Sequence, residues 1–222
     1  MERIIICVGR QLGSGGRIIA KSLADAFGCR LYDKELLNLA AKESGFSEKF
    51  FEQNDEQKGF LKSLFHLHAP HISDTNFYKS NFSQESLFQF QSDAIRKAAD
   101  EGSCVFVGRC ADYVLRDKQN VVNIFITADI AERVKAVMAR HDCNEETARK
   151  ILNNKESARA SYYNYYTGKK WGSAESYDLC VNTSLLGLDA TVDLLKEYIR
   201  QRFNTAQGGA SSSQDATVVA DD

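Results

Sequence analysis

Gly13, Ser14, Gly15 and Gly16 interrupt the chain between a β-branched apolar run, Arg3 to Val8, and a helix-period segment, Ile18 to Phe27. A glycine loop placed between a strand and a helix can turn successive backbone N–H groups onto an anion, and the helix N-terminus adds partial positive charge. Glycines suit the task because a Cβ obstructs both the tight turn and the approach of the anion. The chemistry this pattern predicts is phosphate binding, and the strand-to-helix context favours it over a plain tight turn. Arg17 adds a clue. A cation in the first helical turn faces the positive end of the macrodipole, at a cost of about 0.3–1 kcal/mol that a bound anion reverses. The alternative is an exposed arginine whose stem covers a neighbour.

Two further residues lie where open parallel sheets take ligands, at the C-terminal ends of strands. Arg109 follows the run CVFVG, and reads either as a ligand-binding cation or as half of a structural ion pair. Asp33 follows Arg30 to Tyr32, and either hydrogen-bonds a nucleotide or caps the next helix. His66, His68 and His71, with Asp74 behind them, invite a zinc reading, but no Cys or His pair at finger spacing supports it, and no metal ligand is assigned. Tyr162, Tyr163, Tyr165, Tyr166 and Trp171 lie beside Lys169 and Lys170. Packing between helix and sheet explains them better than a single-strand surface, since the chain lacks a supporting basic field. There is no G-x-S-x-G elbow, and no cysteine sits in a nucleophile motif.

The elements that must position these residues alternate. Strands are predicted at Arg3–Val8, Arg30–Tyr32, Cys104–Gly108, Val121–Ile126 and Tyr177–Val181. Helices are predicted at Ile18–Phe27, around Leu36–Ala40, and at Gln84–Asp100, Ala111–Arg116, Asp129–Arg140, Asn144–Tyr166 and Asp189–Phe203. Strand–helix alternation with runs buried on both faces points to one α/β domain around a five-stranded parallel sheet. Residues 44–83 read as an insertion and 204–222 as a disordered tail. The formal charge of −2 becomes about +1 once Asp215, Asp221 and Asp222 of the tail are set aside, which argues against nucleic-acid or membrane adhesion. The six cysteines form no C-x-x-C pair and suit a reducing compartment. No run approaches the roughly 18 apolar residues of a spanning helix, so a cytoplasmic location is expected.

The segment IIICVGRQLGSGGRIIAKSLADAFGCRLYDKELL resembles the start of the cytidylate-kinase-like proteins, relatives of the nucleoside monophosphate kinases. The likeness continues through VFVGRCADYVL, NIFITADIAERV, ESARASYYNYYTGKKWG and YDLCVNTSLLGLDATVDLL. It implies a P-loop NTPase-type three-layer α/β/α fold with a helical insertion near the acceptor site and a lid at 141–160. It also implies an enzyme that uses ATP and Mg²⁺ to phosphorylate a nucleoside monophosphate or other small acceptor. By the resemblance, Gly13 and Gly15 match loop glycines at the donor phosphates, Asp33 matches an acceptor-site aspartate, Arg109 the arginine of a Gly-Arg-Asp motif, and Arg140, Lys155 and Arg159 fall where the lid supplies its cations; the residues themselves add Ser14, Gly16 and Arg17 to the donor loop, with Arg17 deputising for its lysine. The sequence departs from the family's pattern at three places. Gly16 stands at the lysine of the loop, Arg17 or Ile18 at the magnesium-binding hydroxyl, and Cys110 at the aspartate of a Gly-Arg-Asp motif. These departures keep open a second reading, a non-catalytic nucleotide- or phosphate-binding regulator.

Overall fold

The computed structural model describes residues 3–33 and 74–208. Within them, strand β1 (Ile5–Arg10) leads through the glycine loop into helix α1 (Gly16–Phe27) and strand β2 (Arg30–Tyr32). Helix α2 (Asp74–Glu101), β3 (Cys104–Val107), the short α3 (Ala111–Val114) and β4 (Val121–Thr127) follow. Helices α4 (Ile130–His141) and α5 (Glu145–Thr167), strand β5 (Leu179–Asn182) and helix α6 (Thr183–Gly208) complete the chain described. The five strands are parallel in the order β2-β3-β1-β4-β5, so β1 and its loop stand at the centre.

Strand side chains alternate between faces, and here both faces are covered. Ile6, Val8, Val105, Val107, Ile124 and Ile126 pack against Ile19 and Leu23 of α1 and Val192, Leu195 and Ile199 of α6. Ile5, Cys7, Cys104 and Phe106 point the other way, against Ile95 and Ala99 of α2 and Ala111, Val114 and Leu115 around α3. That is a three-layer α/β/α arrangement of the P-loop NTPase type. A smaller cluster, Val134, Val137, Ala148 and Leu152, ties α4 to α5. No helix among the described residues is long and apolar enough to cross a membrane.

Several boundaries differ from the sequence expectation, for local reasons. Strand β1 runs past Val8 because Gly9 and Arg10 pair with Phe125 and Ile126 of β4, which makes Arg10 a strand residue rather than loop. Tyr177 stays out of β5, as the cap of a 3₁₀ turn at Ala174–Ser176. Helix α6 begins at Thr183, earlier than expected, and is broken at Gly187, whose φ of 75° only glycine takes readily. It runs on to Gly208, five residues beyond Phe203, into the stretch expected to be disordered. Helix α2 begins at Asp74, ten residues before Gln84, inside the expected insertion. Ile130, the first residue of α4, is exposed, while Val134 and Val137 of the same helix are buried. The helix predicted around Leu36–Ala40, the histidines and most of the insertion lie outside the described residues.

Candidate phosphate site

The loop after β1 is fixed from outside. The Gln11 N–H donates to the Ile126 carbonyl at 3.0 Å, the Ser14 hydroxyl to the Gln11 carbonyl at 3.0 Å, and the Thr183 hydroxyl to the Ser14 carbonyl at 3.1 Å. Gly13 and Gly15 hold φ near 80° and 75°, in the left-handed region. Neighbours press on both: a Cβ at Gly13 would lie 2.7 Å from the Arg133 carbonyl oxygen, and one at Gly15 2.4 Å from a Leu188 methyl. The outer amides of the loop are engaged within the protein. Leu12 donates to Glu156 of α5 at 3.3 Å and Ile18 to the Gly15 carbonyl at 2.9 Å. Between them, the N–H groups of Gly13, Gly15 and Gly16 have no acceptor among the described residues. Unpaired amides at the start of a 12-residue helix are a ready anion site.

Arginines gather around this loop. Arg10, Arg17, Arg109 and Arg159 lie close enough that the last three lower the pKa of Arg10, after burial, the largest cause; together they bring it down to about 9. Burial likewise lowers Arg159, with Arg109 and Arg140 adding to the effect and Glu156 opposing it. Arg159 donates to the Arg10 carbonyl at 3.1 Å, which ties α5 to the end of β1. Arg109 and Cys110 are consecutive left-handed residues, with φ of 62° and 57°, a backbone that costs of order 1–3 kcal/mol per residue and collects at functional sites. The Arg109 guanidinium lies over the Tyr162 ring, 5.5 Å from its centroid. Cys110 is buried, which pushes its thiol up to about 12, with Asp112 adding to the rise. It is therefore a neutral thiol where the resemblance puts a carboxylate.

Of the residues expected from sequence, the structure brings together the glycine loop, Arg17, Arg109 and Arg159. Asp33 joins them by pairing with Arg17, so the donor and acceptor residues named from sequence are linked. Arg140 sits at the outer edge, exposed in the last turn of α4. Lys155 lies on the exposed face of α5 and is not among the principal charges acting on Arg10 or Arg159. Sequence reasoning missed Arg10, taken as loop rather than strand. It also missed Glu156, whose carboxylate bridges Leu12 to the buried Arg133 and so joins α5 to α4 and the loop.

The tyrosines pack rather than present a surface. Tyr166 stacks on Phe88 of α2 at 3.9 Å, and Trp171 and Tyr177 flank Phe125 of β4. The Tyr163 hydroxyl donates to Asp112 at 2.6 Å. Burial raises the Asp112 pKa, and the Tyr163 hydrogen bond works against that rise. A carboxyl whose folded pKa is raised weakens the fold as pH climbs from its ordinary range through the folded value. Tyr163→Phe removes the donor that eases this ionisation. The expected loss is larger at pH 7 than near pH 4, about 1.5–3 kcal/mol where the bond goes to an ionised carboxylate, because lowering the pH favours the protonated form of Asp112. Urea unfolding at the two pH values measures it.

A central glycine loop, amides open at the helix start and converging guanidiniums on a parallel sheet of this strand order define an α/β protein of the kinase-type fold. The chain belongs to the cytidylate kinase-like family, whose model matches residues 5–185. A cytidylate kinase of Pyrococcus horikoshii is 24% identical over 96% of this chain and 97% of its own length. One of Methanopyrus kandleri is 23% identical over 88% and 93%. A solved structure of an uncharacterized protein from Eubacterium ventriosum is 30% identical, with a TM-score of 0.69 over 89% of this chain and 99% of that one. A shikimate kinase of Bacteroides thetaiotaomicron shares the fold alone, at 10% identity and a TM-score of 0.50 over 90% and 99%.

Proposed function

We propose that the protein is a nucleotide-dependent phosphotransferase that moves the γ-phosphoryl group of ATP to a nucleoside monophosphate or other small acceptor. The observation that carries this reading is the set of open amides at Gly13, Gly15 and Gly16 beside Arg10, Arg17, Arg109 and Arg159. Phosphoryl transfer asks a protein mainly for positioning and charge neutralisation. The acceptor oxygen forms its bond to the γ-phosphorus as the bond to the β–γ bridging oxygen breaks, and the acceptor's proton leaves to solvent. The loop holds the phosphates, Arg109 and Arg159 offset charge on the transferred group, and Asp33 with Arg17 borders the acceptor.

Magnesium is a different matter. The Ser14 hydroxyl is turned to the Gln11 carbonyl, Glu156 is tied to Arg133 and Leu12, and Asp33 is held by Arg17. No group of three His, Cys, Asp or Glu among the described residues could hold a metal. The described residues therefore do not form a protein-ligated Mg²⁺ site. Gly16 in place of the lysine, together with Cys110 in place of the aspartate, favours a second reading, a nucleotide-binding regulator without turnover.

ADP release from ATP and Mg²⁺ with a panel of nucleoside monophosphates and small hydroxyl acceptors separates the two. Turnover on one acceptor supports the kinase, whereas ATP binding without turnover on any supports the regulator. Asp33→Asn is expected to raise the acceptor KM on the order of tenfold, the loss of about one charged hydrogen bond. Because it removes a negative charge that competes with phosphate for Arg17, ATP affinity is expected to be no weaker, and a weakened ATP affinity by calorimetry contradicts this placement.

A further inference from the structure

The resemblance puts a lysine where this chain has Gly16, and the structure shows what fills that space. A Cβ at Gly16 would lie 2.5 Å from the Arg10 Cβ and 3.3 Å from the Ile126 Cβ. No side chain fits there while Arg10 is present. The register explains how Arg10 reaches the spot: β1 pairs with β3 only as far as Val8 with Val107, then continues beside β4 to Arg10. Arg10 thus projects beyond the end of β3 and crosses the turn that follows it. Its Nη1 would lie 2.1 Å from a Cβ on Gly108, so the guanidinium lies directly on that glycine, next to Arg109. The chain has opened two glycines, one at each end of a single arginine side chain.

Arg10 also differs from its neighbours in its partners. Arg17 pairs with Asp33, Arg109 lies on Tyr162 and Arg159 donates to a carbonyl. Among the described residues, the Arg10 guanidinium has no hydrogen-bond acceptor and no carboxylate within ion-pair distance. A half-buried cation hemmed by three others, with no acceptor among the described residues, is poised to take an anion.

We propose that Arg10, delivered from strand β1, is the cation that binds the donor phosphates in place of the loop lysine. This rests on the phosphotransferase or nucleotide-binding reading above and adds the residue that makes it possible without an ammonium group. Arg10 lies at the loop's own mouth, between Gly16 and Gly108. A guanidinium there offers two N–H groups to phosphate oxygens where a lysine offers a single charged point. Arg159 from α5, Arg109 after β3, Arg17 from α1 and Asp33 after β2 are the charges that face it.

Calorimetry with ATP and with inorganic tripolyphosphate tests this on three proteins: wild type, Arg10→Gln, and the reciprocal swap Arg10→Gly with Gly16→Lys. Arg10→Gln is expected to weaken both ligands by roughly ten- to a hundredfold, the range for a lost charge-assisted bond. The swap clears the Cβ collision and restores a cation, and it is expected to recover most of the affinity for both ligands. Circular dichroism and thermal unfolding establish that each variant is folded; if Arg10→Gln does not fold, the swap decides alone. Equal binding by wild type and Arg10→Gln overturns the role of Arg10 and leaves the proposed function standing. Loss for ATP but not for tripolyphosphate, or a folded swap that does not bind, also overturns it. No binding by the wild-type protein overturns both.

Discussion

Gly13→Ala is expected to abolish measurable ATP binding at micromolar nucleotide and to destabilise the fold. At φ near 80°, alanine carries a strain of about 1–3 kcal/mol before any contact is counted. The contact is worse. The new Cβ would lie 2.7 Å from the Arg133 carbonyl oxygen and 2.9 Å from its Cα, both backbone atoms of α4, which cannot swing aside as a side chain can. The loop or the helix has to move, and either shift takes the amides of Gly13, Gly15 and Gly16 out of register. Losing even one charge-assisted bond of about 1.5–3 kcal/mol weakens binding roughly ten- to a hundredfold. Gly15→Ala has the same strain but meets only a Leu188 methyl, so it is expected to be milder. Thermal unfolding with and without ATP, run on both variants, ranks them.

Arg159→Ala is expected to lower kcat by roughly 10²–10³, the range for removing one preorganised donor from a developing anion. Arg159 is half-buried, donates to the Arg10 carbonyl and lies within reach of Arg109's charge, so its removal strips charge and also loosens α5 from the loop. ATP affinity should change less than kcat, because the amides and Arg10 remain. Arg140→Ala, at the exposed edge, is expected to cost much less. Steady-state kinetics on the accepted substrate separates the cases. A loss confined to KM contradicts a role for Arg159 in the transfer step.

The sheet was legible in the sequence because its strands are continuous apolar runs, buried on both faces, bounded by glycine or polar residues. Cys104–Val107 is such a run, Val121–Thr127 is one interrupted only at Asn123 before its terminal Thr127, and β2 was read residue for residue. The end of β1 was harder to see. Gly9 and Arg10 carry no apolar side chain, and only their pairing with Phe125 and Ile126 makes them strand. The same reason hid Arg10 from the site, since a strand residue read as loop has no defined place to point. Glu156 was invisible for a different cause: its partners, Leu12 and Arg133, are 144 and 23 residues away. The helical break at Gly187 could be found only from φ, because the flanking Leu186 and Leu188 continue an apolar pattern.

Amide chemical shifts in a ¹⁵N-labelled protein titrated with ATP test the central claim most directly. Saturable shifts are expected to concentrate at Gly13, Gly15 and Gly16, the amides that have no acceptor within the described residues, with smaller changes at Leu12 and Ile18. Saturable binding whose shifts fall elsewhere, with those three amides unmoved, contradicts it.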